Sequence, residues 1–126
     1  MKVIFTVQRK EGLSYAAFKE YYENHHAPLI TRLLPYFCDY TRNYIGEDEK
    51  GAPAHLDGTA MEPGFDVITE IAFSHREDYE KMLTSISDPV IGNQIAEDED
   101  KFVRRGSIAM YIVDERKTPA DQLRPR

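Results

Sequence analysis

Residues 2–9 alternate, with Val3, Phe5 and Val7 on one face and Lys2, Ile4, Thr6 and Gln8 on the other, which predicts a half-buried strand. Gly12 ends that pattern, and Ser14 is placed to cap a helix beginning at Tyr15. In that helix Phe18, Tyr22, His26, Leu29 and Leu33 recur at spacings of four, four, three and four, one stripe of a 3.6-residue period. His26 falls on the stripe and His25, about 100° around the helix, does not. Pro28 lacks an N–H and clashes with the carbonyl of Asn24, so a kink or a short second helix from Pro28 to about Leu34 is expected. The loosened backbone at Asn24 to Ala27 would suit a functional site.

Residues 36–45 are rich in strand formers, with Tyr36, Cys38, Tyr40, Arg42 and Tyr44 sharing a face. Four glycines and two prolines punctuate residues 46–64, a long polar connection of the kind that often serves as a lid. From Phe65 to Phe73 the alternation returns, with Phe65, Val67, Ile71 and Phe73 on one face and Asp66 and Glu70 on the other. Ser74 and Glu77 have capping-box spacing, and Tyr79, Met82, Leu83 and Ile86 mark the next helix. Asp88-Pro89 opens a third helix through Ile91, Ile95 and Phe102. The run Glu97-Asp98-Glu99-Asp100 reads as a solvated face, because it lacks the spaced ligands and glycine of a calcium loop. Residues 107–113 are apolar on both faces, so that strand is expected to be covered on both. The order strand, helix, strand, strand, helices, strand is a ferredoxin-like α+β pattern, an antiparallel sheet with helices on one face. With Tyr40, Tyr44 and the two-sided last strand assigned to its open face, that face calls for a second copy of the chain, giving a homodimer.

Composition narrows the partners. The 126 residues make one domain, expected to span 1–116 with a tail at 117–126; 41% hydrophobic and 30% charged residues argue against global disorder. A net charge of −6 with no basic cluster makes nucleic acid and anionic membrane poor partners. No apolar run reaches the length of a membrane span, and the first residues alternate like a strand rather than a signal peptide. Cys38 is the only cysteine, so no internal disulfide forms and a cytoplasmic location is expected, with Cys38 as a buried structural thiol.

His26 with Tyr22 is the leading chemical pair: a neutral imidazole in an apolar pocket can take a proton from carbon while a phenol donates to the developing oxyanion. A core histidine with a satisfied hydrogen bond, and Tyr22 as a core aromatic, fit the same spacing. Asp66 and Glu70 offer a carboxylate partner or are simply sheet-surface charges, and Tyr40, Arg42 and Tyr44 line a cleft or a dimer interface. His25 with His26, and His55 with His75, stand at no metal-ligand spacing, and there is no phosphate loop, nucleophile elbow or cysteine–histidine pattern.

Several of these pieces together resemble the EthD family of the dimeric α+β barrel superfamily. They are residues Gln8 to Ser14, Phe18 and Tyr22 before His25-His26-Ala27-Pro28-Leu29, Arg42-Asn43-Tyr44, Phe65-Asp66-Val67 before Glu70, and Asp98-Glu99 with Phe102. The resemblance runs from the first strand to about Glu115. It maps the family histidine before Ala-Pro onto His26 and the Asp-Glu-x-x-Phe piece onto Asp98, Glu99 and Phe102. It implies a small apolar or aromatic substrate, although similar folds host dehydration, cyclisation, decarboxylation, isomerisation and oxygenation. Some superfamily relatives bind haem through histidine, but no attachment motif is present here. The expectation is a cofactor-independent lyase or isomerase with no metal, in which His26 is the general acid/base aided by Tyr22. Phe18, Tyr40, Tyr44, Asp66 and Glu70 are its candidate substrate contacts. The alternatives are a non-catalytic small-molecule binder serving an oxidative pathway, and a cofactor-free monooxygenase.

Overall fold

The computed structural model describes residues 1–45 and 64–124. Four strands, β1 (Lys2–Val7), β2 (Asp39–Tyr44), β3 (Val67–Ala72) and β4 (Ala109–Val113), form one antiparallel sheet in the order β2-β3-β1-β4. Between β1 and β2 run α1 (Tyr15–Tyr21), a π-helical turn (Tyr22–His26) and α2 (Ala27–Leu33); between β3 and β4 run α3 (Arg76–Ser87) and α4 (Pro89–Glu99). The fold is therefore the expected ferredoxin-like α+β arrangement. The expected connection at 46–64 falls, except for Gly64, outside the described residues.

Local chemistry sets most boundaries. Ser14 accepts from the Ala17 N–H and Asp88 from the Val90 N–H, so α1 and α4 start where the sequence capped them. Ser74 does not cap α3: His75 is the residue before the helix and makes no side-chain cap, which corrects the capping-box reading. Pro28 acts as expected, by an identifiable route. In the turn before it the Ala27 N–H bonds the carbonyl of Tyr22, five residues back, so the chain takes in one extra residue and resumes as α2.

That extra residue changes the buried stripe. Up to His26 the expected positions hold, but beyond the π turn Ile30 and Leu34 are buried in place of Leu29 and Leu33. The stripe becomes Phe18, Tyr22, His26, Ile30 and Leu34, spaced by four throughout. Phe18 is fully buried, a burial worth about 1.5–3 kcal/mol.

Val3, Phe5 and Val7 of β1 pair with Ile71, Thr69 and Val67 of β3, and those in turn with Tyr40, Arg42 and Tyr44 of β2. This is the face beneath the helices, so Tyr40 and Tyr44 do not lie on the open face to which the sequence reading assigned them. The open face carries Ile4, Thr6, Ile68 and Tyr111 with the polar set Lys2, Glu70 and Asn43. Met110, Tyr111 and Ile112 of the edge strand β4 are exposed in the single chain, so the described residues do not supply the expected cover on both faces. Cys38 is exposed, against the expected burial. Gly92 lets α4 approach α3, since a Cβ there would stand 2.6 Å from the Ile86 carbonyl oxygen.

The core has two clusters. Val3, Ile30, Leu34, Ile71, Phe73, Tyr79, Met82 and Ile95 form one, and Val7, Phe18, Tyr22, Ala27, Val67, Phe102 and Val103 the other. A cavity of about 110 Å³ lies between them and is lined from both.

Candidate active site

The π turn delivers two side chains to the cavity wall. Tyr22 and His26 are both buried and meet edge to face, ring centroids 5.4 Å apart. The Tyr22 hydroxyl shares a 2.7 Å hydrogen bond with Thr69 Oγ1 of β3. His26 Nδ1 is 2.8 Å from Oδ2 of Asp98, near the end of α4, and the Tyr21 hydroxyl donates to the other carboxylate oxygen at 2.6 Å. Phe102, in the turn after α4, packs against the imidazole with centroids 4.7 Å apart.

This geometry selects a tautomer. An ionised carboxylate only accepts, so Asp98 holds the proton on Nδ1 and leaves the Nε2 lone pair for the cavity. Burial lowers the His26 pKa below its ordinary value, and Asp98 opposes that without reversing it. The ring is thus neutral at neutral pH, and its carboxylate partner is in place to steady the imidazolium that forms on proton uptake.

The rest of the wall is largely apolar, with a small polar set. Tyr40, Thr69 and Glu99 join Tyr22 and His26, among Phe5, Ile30, Ile71, Met82 and Phe102. Burial raises the pKa of both Tyr22 and Tyr40, so both phenols stay protonated as hydrogen-bond donors. Tyr21 is pushed up to about 12, first by burial and then by Asp98. Glu99 is pushed up to about 7 by burial, with Arg105 opposing and Asp100 and Asp98 adding to the shift.

Of the residues singled out in the sequence, Tyr22, His26 and Tyr40 come together at the cavity. Phe18 is core beneath it. The Tyr44 hydroxyl donates to Glu23, which also takes Arg42 through two hydrogen bonds of 2.8 and 3.0 Å. Asp66 accepts from the Arg9 backbone N–H at 2.8 Å, and Glu70 pairs with Lys2 and Asn43 on the open face, so neither lines the cavity. His25 is exposed and stacks on Tyr21 at 4.8 Å. The acidic run is not a uniform solvated face: Glu97 and Asp100 are exposed, whereas Asp98 is buried and Glu99 faces the cavity. The signal was present, since Ile91, Ile95, Asp98 and Phe102 follow one another at helical spacings of four, three and four. Thr69 escaped notice as the one polar residue on the inward side of β3.

No group of three or more histidine, cysteine, aspartate or glutamate side chains is placed to hold a metal ion among the described residues, and none of their helices is long and apolar enough to cross a membrane.

The antiparallel four-stranded sheet with helices on one face puts the chain in the ferredoxin-like α+β class, here with a histidine–carboxylate pair set into an apolar cavity under the helices. Within that class the chain belongs to the EthD family: residues 10–106 match the EthD domain. It is 30% identical over 113 residues to a conidial pigment biosynthesis dehydratase, EthD, of Metarhizium robertsii, covering 85% of this chain and 76% of that protein. Its fold is similar to that of an EthD family protein of Bacillus halodurans, with TM-score 0.59, 24% identity and coverage of 91% and 97% of the two chains. It also resembles the fold of a hydroxynitrile lyase from Passiflora edulis, with TM-score 0.51, 15% identity and coverage of 93% and 95%.

Proposed function

We propose that this protein is a cofactor-independent lyase of the dehydratase type, acting on a small, largely apolar or aromatic β-hydroxy ketone. The observation that carries the reading is the buried His26–Asp98 pair on the wall of an apolar cavity, bonded to the carboxylate through Nδ1 so that Nε2 is the nitrogen left for a ligand. A ketone makes its α-hydrogen acidic, and a neutral imidazole in such a cavity is suited to remove it. A protonated phenol of Tyr22 or Tyr40 would donate to the enolate oxygen as charge develops. The dehydratase relative, at 30% identity, favours elimination of water over the other chemistries such a pocket could host. A pure binding role needs only the apolar wall; five polar side chains converging on one cavity favour catalysis.

The β-hydroxy derivative of α-tetralone tests this, because loss of water yields α-naphthol, which is easily followed. The protein should accelerate α-naphthol formation in the presence of a chelator. A rate equal to that of buffer at saturating ketone would contradict the reading.

We further propose that the chain works as a homodimer joined through the open face of the sheet, where Ile4, Ile68 and the exposed Tyr111 lie together. Sedimentation should give the mass of two chains at micromolar concentration. A stable monomer there would remove this claim.

A further inference from the structure

We propose that Glu99 is the proton donor to the departing hydroxyl group, a second proton-transfer group opposite in role to His26. The inference rests on the lyase reading above. Glu99 lines the same cavity as His26 yet comes from the last residue of α4, one position beyond Asp98. The two neighbouring carboxylates are therefore divided: Asp98 spends both oxygens on His26 and Tyr21, and Glu99 makes no such bond with a described residue. Three features raise the pKa of its carboxyl, so that a substantial fraction is protonated at neutral pH. It is half-buried against apolar residues, it stands at the negative end of a helix, and Asp98 and Asp100 are both close in sequence and charge. Among the described residues Arg105 is the one opposing cation acting on it, and Arg105 is itself 3.5 Å from Asp100. Among the described residues the remaining titratable groups on its cavity are His26, Tyr22 and Tyr40.

A neutral acid beside a neutral base in one apolar cavity is the pairing an elimination needs. His26 Nε2 takes the α-proton, the electrons of that C–H bond become the C=C bond, and the β C–O bond breaks. Hydroxide is a poor leaving group, and the Glu99 carboxylic acid converts it to water by giving up its proton. The chain is left with imidazolium and carboxylate, which return to the neutral pair by proton exchange through solvent. No oxidant, reductant or metal enters the balance.

The leaving group itself provides the test. The β-acetoxy derivative of α-tetralone loses acetate, which needs no proton, whereas the β-hydroxy ketone loses hydroxide. Glu99→Gln keeps the side chain's size and should lower turnover of the hydroxy ketone by about 10²–10³-fold, the range of general acid catalysis. On the acetoxy ketone the loss should be less than about fivefold, because no acid is required there. His26→Ala should be poor on both. A carbon-13 titration of the Glu99 carboxyl in the dimer should place its pKa near 7. Equal losses on the two ketones, or a Glu99 carboxyl that titrates with ordinary glutamates, would overturn the proposal while leaving the lyase reading intact. If the wild-type protein turns over neither ketone, the lyase reading falls and this assignment falls with it.

Discussion

His26→Ala is expected to lower turnover of the β-hydroxy ketone by about 10²–10⁴-fold, while His25→Ala stays close to wild type. The two histidines are adjacent, but the π turn buries one and exposes the other. Of the two, His26 has a carboxylate on Nδ1 and lines the cavity. The substitution also leaves Asp98 Oδ2 without its buried donor, so a loss of about 1–3 kcal/mol in stability should accompany the loss of rate. Rate should therefore be expressed per folded molecule, with thermal unfolding measured on the same samples. Acidification adds a signature. His26 is depressed in the folded state, so its contribution to stability is complete above the unfolded value of about 6.5 and declines as the pH falls through the folded pKa. His26→Ala should flatten that decline. A large loss of stability with unchanged rate per folded molecule would return His26 to the role of a core residue.

Asp98→Asn should be nearly as damaging to turnover, about 10²–10⁴-fold, with the fold kept. An amide has the shape of the carboxylate but not its charge, so it cannot steady the imidazolium. It can also donate to Nδ1, which transfers the ring proton to Nε2 and removes the lone pair the reaction uses. Nitrogen-15 spectra should show the Nδ1–H tautomer in the wild type and a shift toward Nε2–H in the variant. Tyr21→Phe removes only one hydrogen bond to Asp98 and should cost less than about tenfold. Asp98→Asn with wild-type turnover would mean that the carboxylate merely fills the space.

Much of the fold was legible because it rests on local rules. Alternation marked the inner strands, Ser14 and the Asp88-Pro89 pair marked helix starts, and periodicity separated His26 from His25. What escaped depends on contacts remote in sequence. The phase change from Leu29 and Leu33 to Ile30 and Leu34 follows from how the backbone absorbs Pro28, and a pattern of fixed period has no place for an extra residue. Alternation said that Tyr40 and Tyr44 share a face but not which face the helices cover. The acidic run concealed the largest part of the site. Four consecutive acids look solvated until a histidine 72 residues earlier claims one of them and an apolar cavity a second. Glu70 lies on β3 and Asp66 just before it, yet their partners Arg9, Lys2 and Asn43 hold both away from the cavity.

The claim at the centre is that His26 removes a proton from carbon, and α-tetralone itself isolates that step because it has no leaving group. Exchange of its α-hydrogens for deuterium, followed by proton NMR in heavy water, should be accelerated by the wild-type protein, by His25→Ala and by Glu99→Gln. His26→Ala should show only the rate of buffer. Equal exchange with wild type and His26→Ala would contradict the account.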